Sequence, residues 1–113
     1  TQLVARLQQQ IVSGVYPPGS KLPSVRELAA DAGVNPNTVQ RAFAELERAG
    51  LIYTQRTAGK FVTEDAAAVA AARRSLAEAQ TRQYLAAMRA LGCGKQEIHN
   101  LFDQMEEQEH ADL

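Results

Sequence analysis

The tightest constraint on this chain is one residue, Val34, caught between a helix stop and a helix start. Before it, Ser24-Val25-Arg26-Glu27 has the form of a capping box: the Ser24 hydroxyl accepts from a backbone N–H three residues on, and Glu27 reaches back to the Ser24 N–H. Val25, Leu28, Ala29 and Ala32 then keep helical spacing up to Gly33, which can take the left-handed conformation that ends a helix. After Val34, Asn35 is a good N-cap and Pro36 suits the first helical position, because it has no N–H to leave unsatisfied. Val39, Ala42, Phe43 and Leu46 continue as one apolar stripe towards Gly50. Two helices joined this closely cannot run on as one rod and form a helix-turn-helix.

The flanking segments complete a small domain. From Gln2 to Ser13, Leu3, Val4, Leu7 and Ile11 predict a first helix that stops at Gly14. Tyr16-Pro17-Pro18-Gly19-Ser20 is a turn cluster, and Lys21-Leu22 is at most a very short strand. After Gly50 the period changes. Leu51 to Gln55 and Lys60 to Thr63 are rich in β-branched and aromatic residues, with Thr57-Ala58-Gly59 turning the chain between them, so they predict a β-hairpin, the wing.

From about Asp65 the composition shifts to alanine, with long-helix character up to Leu91. Gly92-Cys93-Gly94 breaks it, and a last helix runs from about Lys95 to Glu109. The expected fold is therefore mainly α with a small β-hairpin: a winged helix-turn-helix over residues 1–64, followed by a two-helix antiparallel hairpin over 65–113. The tail has too few apolar residues to close a core alone, and segments this small lean on a partner. Leu76, Leu85, Met88 and Leu91 of the long helix, with Ile98, Leu101, Phe102 and Met105 of the last, are the expected dimer face of a homodimer.

Charge points the same way once it is divided. The chain of 113 residues has a net charge of −1, which by itself argues against a nucleic-acid partner. Residues 1–63, however, hold seven Lys/Arg against four acids, and residues 64–113 hold five against nine. A basic head on an acidic body suits DNA. The alanine-rich run Ala66 to Ala72 is far short of the ~20 apolar residues that cross a bilayer, and the start of the chain lacks the regions of a signal peptide. The single cysteine, Cys93, cannot form an internal disulfide. No membrane partner and a cytoplasmic location are expected. The chain begins at Thr1 rather than Met, which leaves room for upstream residues.

The helix opened by Asn35 should turn a polar face outward. At about 100° per residue, Asn37, Arg41 and Ala44 fall opposite Val39, Ala42, Phe43 and Leu46, with Gln40 and Thr38 on the flanks. Asn and Gln can pair with adenine edges and Arg with guanine, Thr can reach phosphate or base, and Ala allows close approach to a groove wall. Arg26 in the first turn of the preceding helix, and Arg56, Thr57 and Lys60 around the wing tip, add phosphate-binding chemistry. Free N–H groups at the helix starts, by Ser24 and Asn35, add anion affinity.

Ile11-x-x-Gly14, the run Pro18 to Ala29, Gly33-Val34-Asn35-Pro36-Asn37-Thr38-Val39, Leu46-Glu47-x-x-Gly50-Leu51-Ile52 and Phe61-Val62 together resemble the GntR family of bacterial regulators over residues 2–63. The short tail and the Val-Asn-Pro-Asn-Thr string are similar to its YtrA subfamily. That resemblance implies a homodimer on a palindromic, double-stranded operator, usually repressing a nearby operon that often encodes an ABC transporter. It carries function onto Arg26, Asn37, Thr38, Arg41, Arg56 and Thr57. Several better-known branches have a basic residue where Pro36 and Gln40 stand, so their base contacts do not carry over, and the extra glycine common near Thr57 or Ala58 is absent, so the family's wing path into the minor groove does not carry over either.

Rival chemistries find little support. His99 with Asp103 or Cys93, and His110 beyond, lack a second ligand pair at metal spacing, and no base stands beside Cys93 to make it a nucleophile. No nucleotide-binding glycine loop is present, so neither an enzyme nor a cofactor is expected. A winged helix can instead bind proteins without reading DNA. In a third reading the tail senses a small-molecule effector, and two helices enclose so little volume that its pocket would lie at a dimer or domain interface.

Overall fold

The computed structural model describes residues 2–111. Its elements run α1 (Gln2–Val12), α2 (Val25–Ala32), α3 (Pro36–Arg48), β1 (Ile52–Gln55), β2 (Gly59–Val62), α4 (Ala66–Ala90) and α5 (Lys95–Ala111). This is the mainly α, winged helix-turn-helix architecture that the sequence predicts. The chain forms two compact units, Thr1–Ser75 and Leu76–Leu113, which divide within α4 rather than at its start.

The first unit is built around α3. The capping box at Ser24 forms: Ser24 Oγ accepts from Glu27 N at 3.1 Å, and Glu27 Oε1 accepts from Ser24 N at 3.2 Å. Gly33 ends α2 with φ 66°, a left-handed conformation that a side chain would strain. Asn35 opens α3, its Oδ1 accepting from Asn37 N at 2.8 Å, with Pro36 in the first turn. Leu7 and Ile11 of α1, Val39, Phe43 and Leu46 of α3, and Val62 of β2 are at most 2% exposed. Each contributes on the order of 1.5–3 kcal/mol by leaving water, and no polar or charged residue joins them among the described residues.

The wing is a two-stranded antiparallel hairpin that pairs Ile52 with Val62, Tyr53 with Phe61, Thr54 with Lys60 and Gln55 with Gly59. Gly59 lies in β2 rather than in the turn, at φ 109°, so the connection is Arg56-Thr57-Ala58, with Ala58 N–H donating to Gln55 O. The short Lys21-Leu22 strand shrinks to one bridge, Lys21 to Phe61. Leu22 N–H donates to Lys60 O, and Val62 N–H to Ser20 O, so this segment satisfies the outer edge of β2 that would otherwise be open.

In the second unit, α4 and α5 are joined through residues 91–94, where Gly92 takes φ 89° and Cys93 N–H donates to Met88 O. Ile98 is its one buried residue among those described. Leu76, Leu85, Met88 and Leu101 are half-buried, and Leu91, Phe102 and Met105 are 78%, 56% and 59% exposed. The expectation that this tail lacks a core of its own thus agrees with its packing. Ile98 departs from the expected dimer face, because its side chain is already covered within one chain.

Candidate nucleic-acid interface

The exposed side of α3 follows from its capped start and its buried stripe. Val39, Ala42, Phe43 and Leu46 are inside, which rotates Asn37, Gln40, Arg41 and Ala44 into solvent and leaves Thr38 half-buried at the margin. Arg41 and the side chain of Gln40 have no hydrogen-bond or ion-pair partner among the described residues, so their donors are available to a ligand. Arg26, in the first turn of α2, and Arg56 and Thr57, in the wing turn, are likewise exposed. The first unit thus presents cationic or amide side chains from three successive elements.

Two expected contributors sit differently. Both helix starts were expected to offer free N–H groups to an anion. At α2 the Glu27 carboxylate occupies that place, its pKa lowered by the hydrogen bonds from the Ser24 backbone and side chain. At α3 the donors are met internally, Asn37 N by Asn35 Oδ1 and Thr38 N by Asn35 O, while Pro36 has none to offer. Ser24 and Asn35 are therefore capping residues first, and of their side-chain protons the Asn35 amide protons remain for DNA.

Lys60 is the second. It lies opposite Thr54 in the hairpin, and its ammonium donates to Glu47 Oε1 at 2.5 Å and to Thr54 Oγ1 at 2.6 Å. Thr54 Oγ1 also donates to the same Glu47 oxygen. The Lys60 hydrogen bond, then the one from Thr54, hold the Glu47 carboxyl below the usual carboxylate range. Neither Glu47 nor Thr54 was singled out from the sequence as a site residue. The signal lay in the period-two alternation of β2, which sets Lys60 on the same face as the buried Val62 and therefore towards α3.

No group of three or more His, Cys, Asp and Glu stands close enough to hold a metal among the described residues. Desolvation, then the nearby Glu97 carboxylate, pushes the Cys93 thiol pKa up, which is the wrong direction for a nucleophile. A cleft of about 260 Å³ lies among Ile11, Val12, Pro18, Val69, Ala70 and Arg73, within the first unit. No described helix is long and apolar enough to cross a membrane.

The chain matches the family model "Bacterial regulatory proteins, gntR family" over residues 1–62. It is 37% identical over 97 residues to YhcF, an HTH-type transcriptional regulator of Bacillus subtilis, an alignment covering 86% of this chain and 80% of YhcF. It is 46% identical over 65 residues to the HTH-type transcriptional repressor YtrA of the same organism, covering 58% of this chain and 50% of YtrA. A solved GntR family regulator from Listeria monocytogenes superposes with a TM-score of 0.85 at 41% identity, over 91% of this chain and 90% of that one. The chain belongs to the GntR family, in its YtrA-like branch, and is a transcriptional regulator with a DNA-binding winged helix-turn-helix, not an enzyme.

Proposed function

We propose that this regulator is a repressor that binds a palindromic operator as a homodimer and reads it with the outer face of α3. The observation that carries this reading is the rotation of α3: Asn37, Gln40, Arg41 and Ala44 are exposed together, opposite a stripe buried almost completely. Asn37, Gln40 and Arg41 meet base edges, Ala44 allows approach, and Thr38 sits at the groove margin. Arg26, Arg56 and Thr57 hold phosphates on either side, with Ser24 as their capping support, and the free amide protons of Asn35 supplement them. The printed name of YtrA, a transcriptional repressor, supports the sign of regulation. Such a protein works where the chromosome is, in the cytoplasm.

The homodimer rests on the second unit. A unit that buries one side chain among its described residues, and leaves Leu91, Phe102 and Met105 more than half exposed, needs an apolar cover. A second copy supplies it, with Leu76, Leu85, Met88 and Leu101 at the margin of the face. A two-fold pair of heads then requires half-sites about 10 bp apart, or a multiple. Any small-molecule effector would act by changing that separation.

Selection of duplexes from a random pool, followed by mobility shift at several salt concentrations, tests the reading. Recovery of an inverted repeat with that spacing is the expected result. A dimer that retards no duplex even at low salt would leave the alternative, a winged helix that binds protein only.

A further inference from the structure

The face of the hairpin turned towards α3 changes character along its length. Ile52 and Val62, paired across the strands, are buried. One step outward on the same face stand Thr54 and Lys60, and there apolar packing stops. A cleft of about 340 Å³, lined by Val25, Gln40, Phe43, Ala44, Glu47 and Lys60, opens at this level. The outer half of the wing, which leads to Arg56 and Thr57, is therefore tied to the domain by the Leu22 N–H to Lys60 O bond and by polar side chains rather than by apolar packing.

Glu47 spans the gap. One carboxylate oxygen accepts from Thr54 on β1 and Lys60 on β2, so a residue of the recognition helix grips both strands at once. Lys60 Nζ lies 6.0 Å from the centre of the Phe43 ring, over the cleft. An acid in the last turn of a helix faces the negative end of the helix dipole, which is the unfavourable position for it. Its pKa is nevertheless lowered, with the Lys60 and Thr54 hydrogen bonds as the leading causes. A hairpin with strands of only four residues has little rigidity of its own, and beside the backbone bonds from Ser20 and Leu22 to β2 this contact ties both of its strands to α3.

We infer that Glu47 is a positioning residue for DNA binding: by gripping Thr54 and Lys60 it fixes the wing against α3, so that Arg56 and Thr57 meet the duplex backbone in a set register with the recognition helix. This rests on the reading of α3 given above. In it Lys60 acts inside the protein and is no phosphate ligand.

The test compares Lys60→Ala, Glu47→Ala, Glu47→Gln and the Glu47→Ala/Lys60→Ala double variant on the duplex recovered by selection. Affinity is measured across a salt series, with a hydroxyl-radical footprint of each complex. Either alanine variant should weaken binding roughly tenfold, the double no more than the worse single, as contacts of one network do. Protection on the wing flank should fade while that of the α3 groove remains, and the salt slope should flatten by the same amount in Glu47→Ala and Lys60→Ala, because both release the Arg56 contact. Glu47→Gln keeps an acceptor oxygen and should recover part of the loss. Flattening of the slope by about 0.9 more in Lys60→Ala than in Glu47→Ala would make Lys60 a phosphate ligand and overturn the inference. Full additivity, or wild-type affinity in both singles, would overturn it too. If Glu47→Ala loses its helical signal, Lys60→Ala and Glu47→Gln decide alone. Wild-type protein that binds no duplex would sink the proposed function itself. Binding that is lost in Arg41→Ala but untouched by the clamp variants would sink only the clamp.

Discussion

At the scale of single residues, base reading and phosphate holding separate by where each cation is mounted. Arg41 projects from the middle of the outer face of α3, and Arg26 from the first turn of the helix before it. Arg41→Ala should therefore cost about 1–3 kcal/mol on the preferred operator and relax the preference at one base pair. Arg26→Ala should weaken all sequences alike and flatten the salt slope by about one unit. Competition binding against single-base operator variants measures the first, and a salt titration the second. If both variants bound as wild type does, the wrong face of the head would have been chosen. Glu27 gives a residue-scale effect of another kind. Its folded pKa is lowered, chiefly by the hydrogen bond from the Ser24 backbone, so the ionised form favours the folded state. That contribution is complete above the ordinary glutamate range and disappears as pH falls through the lowered folded value. Urea unfolding at a series of acidic pH values should show the wild type losing stability over this window and Glu27→Gln losing less.

At the scale of elements, the caps decide where the two helices of the head start, and hence which side chains face outward. Ser24→Ala removes the acceptor for Glu27 N and should destabilise the protein by about 0.5–2 kcal/mol. The midpoint of denaturant unfolding reads this directly, and an unchanged midpoint would deny the cap its structural role. These starts were legible in the sequence because capping is local chemistry: Ser24 with Glu27, and Asn35 with Pro36, act within one turn. For the same reason the outward rotation of Asn37 and Arg41 could be computed from spacing alone. The hairpin was legible as an element but not in its details. Gly59 reads as a turn residue, yet the register places it in β2 opposite Gln55, where its φ of 109° is tolerated and an added Cβ would meet Lys21 at 3.3 Å. The fate of Lys60 was hidden for a different reason. Its partner Glu47 lies 13 residues away on another element, and local pattern cannot say which acid a strand lysine will meet. At the start of α3 the expected N–H donors are met by the same chemistry that made that start visible, because Asn35 accepts from Asn37 N and Thr38 N itself.

At the scale of the whole molecule, the decisive inequality is between the two units. The first buries side chains from α1, α3 and the wing to near-zero exposure. The second, among its described residues, buries Ile98 and leaves Leu91, Phe102 and Met105 largely in water. The amphipathic stripe on the last helix was visible from its helical spacing, but spacing cannot tell a stripe covered by its own chain from one covered by a partner. Burial separates the two residues: Ile98 is covered within its own chain, and Phe102 is left exposed, as the proposed dimer requires. Phe102→Asp should therefore leave the folded monomer nearly intact, since the residue is 56% exposed, yet place a charge in the apolar seam of the dimer. An unpaired charge there costs several kcal/mol, enough to shift association by on the order of a hundredfold or more. Sedimentation should show the dimer giving way to monomer at micromolar concentration, while helical signal and thermal midpoint of the head change little. Operator affinity should fall with it, because a lone head keeps one half-site and loses the advantage of the linked second site. A dimer of unchanged strength would move the interface away from α5 and leave the exposed apolar stripe to some other partner.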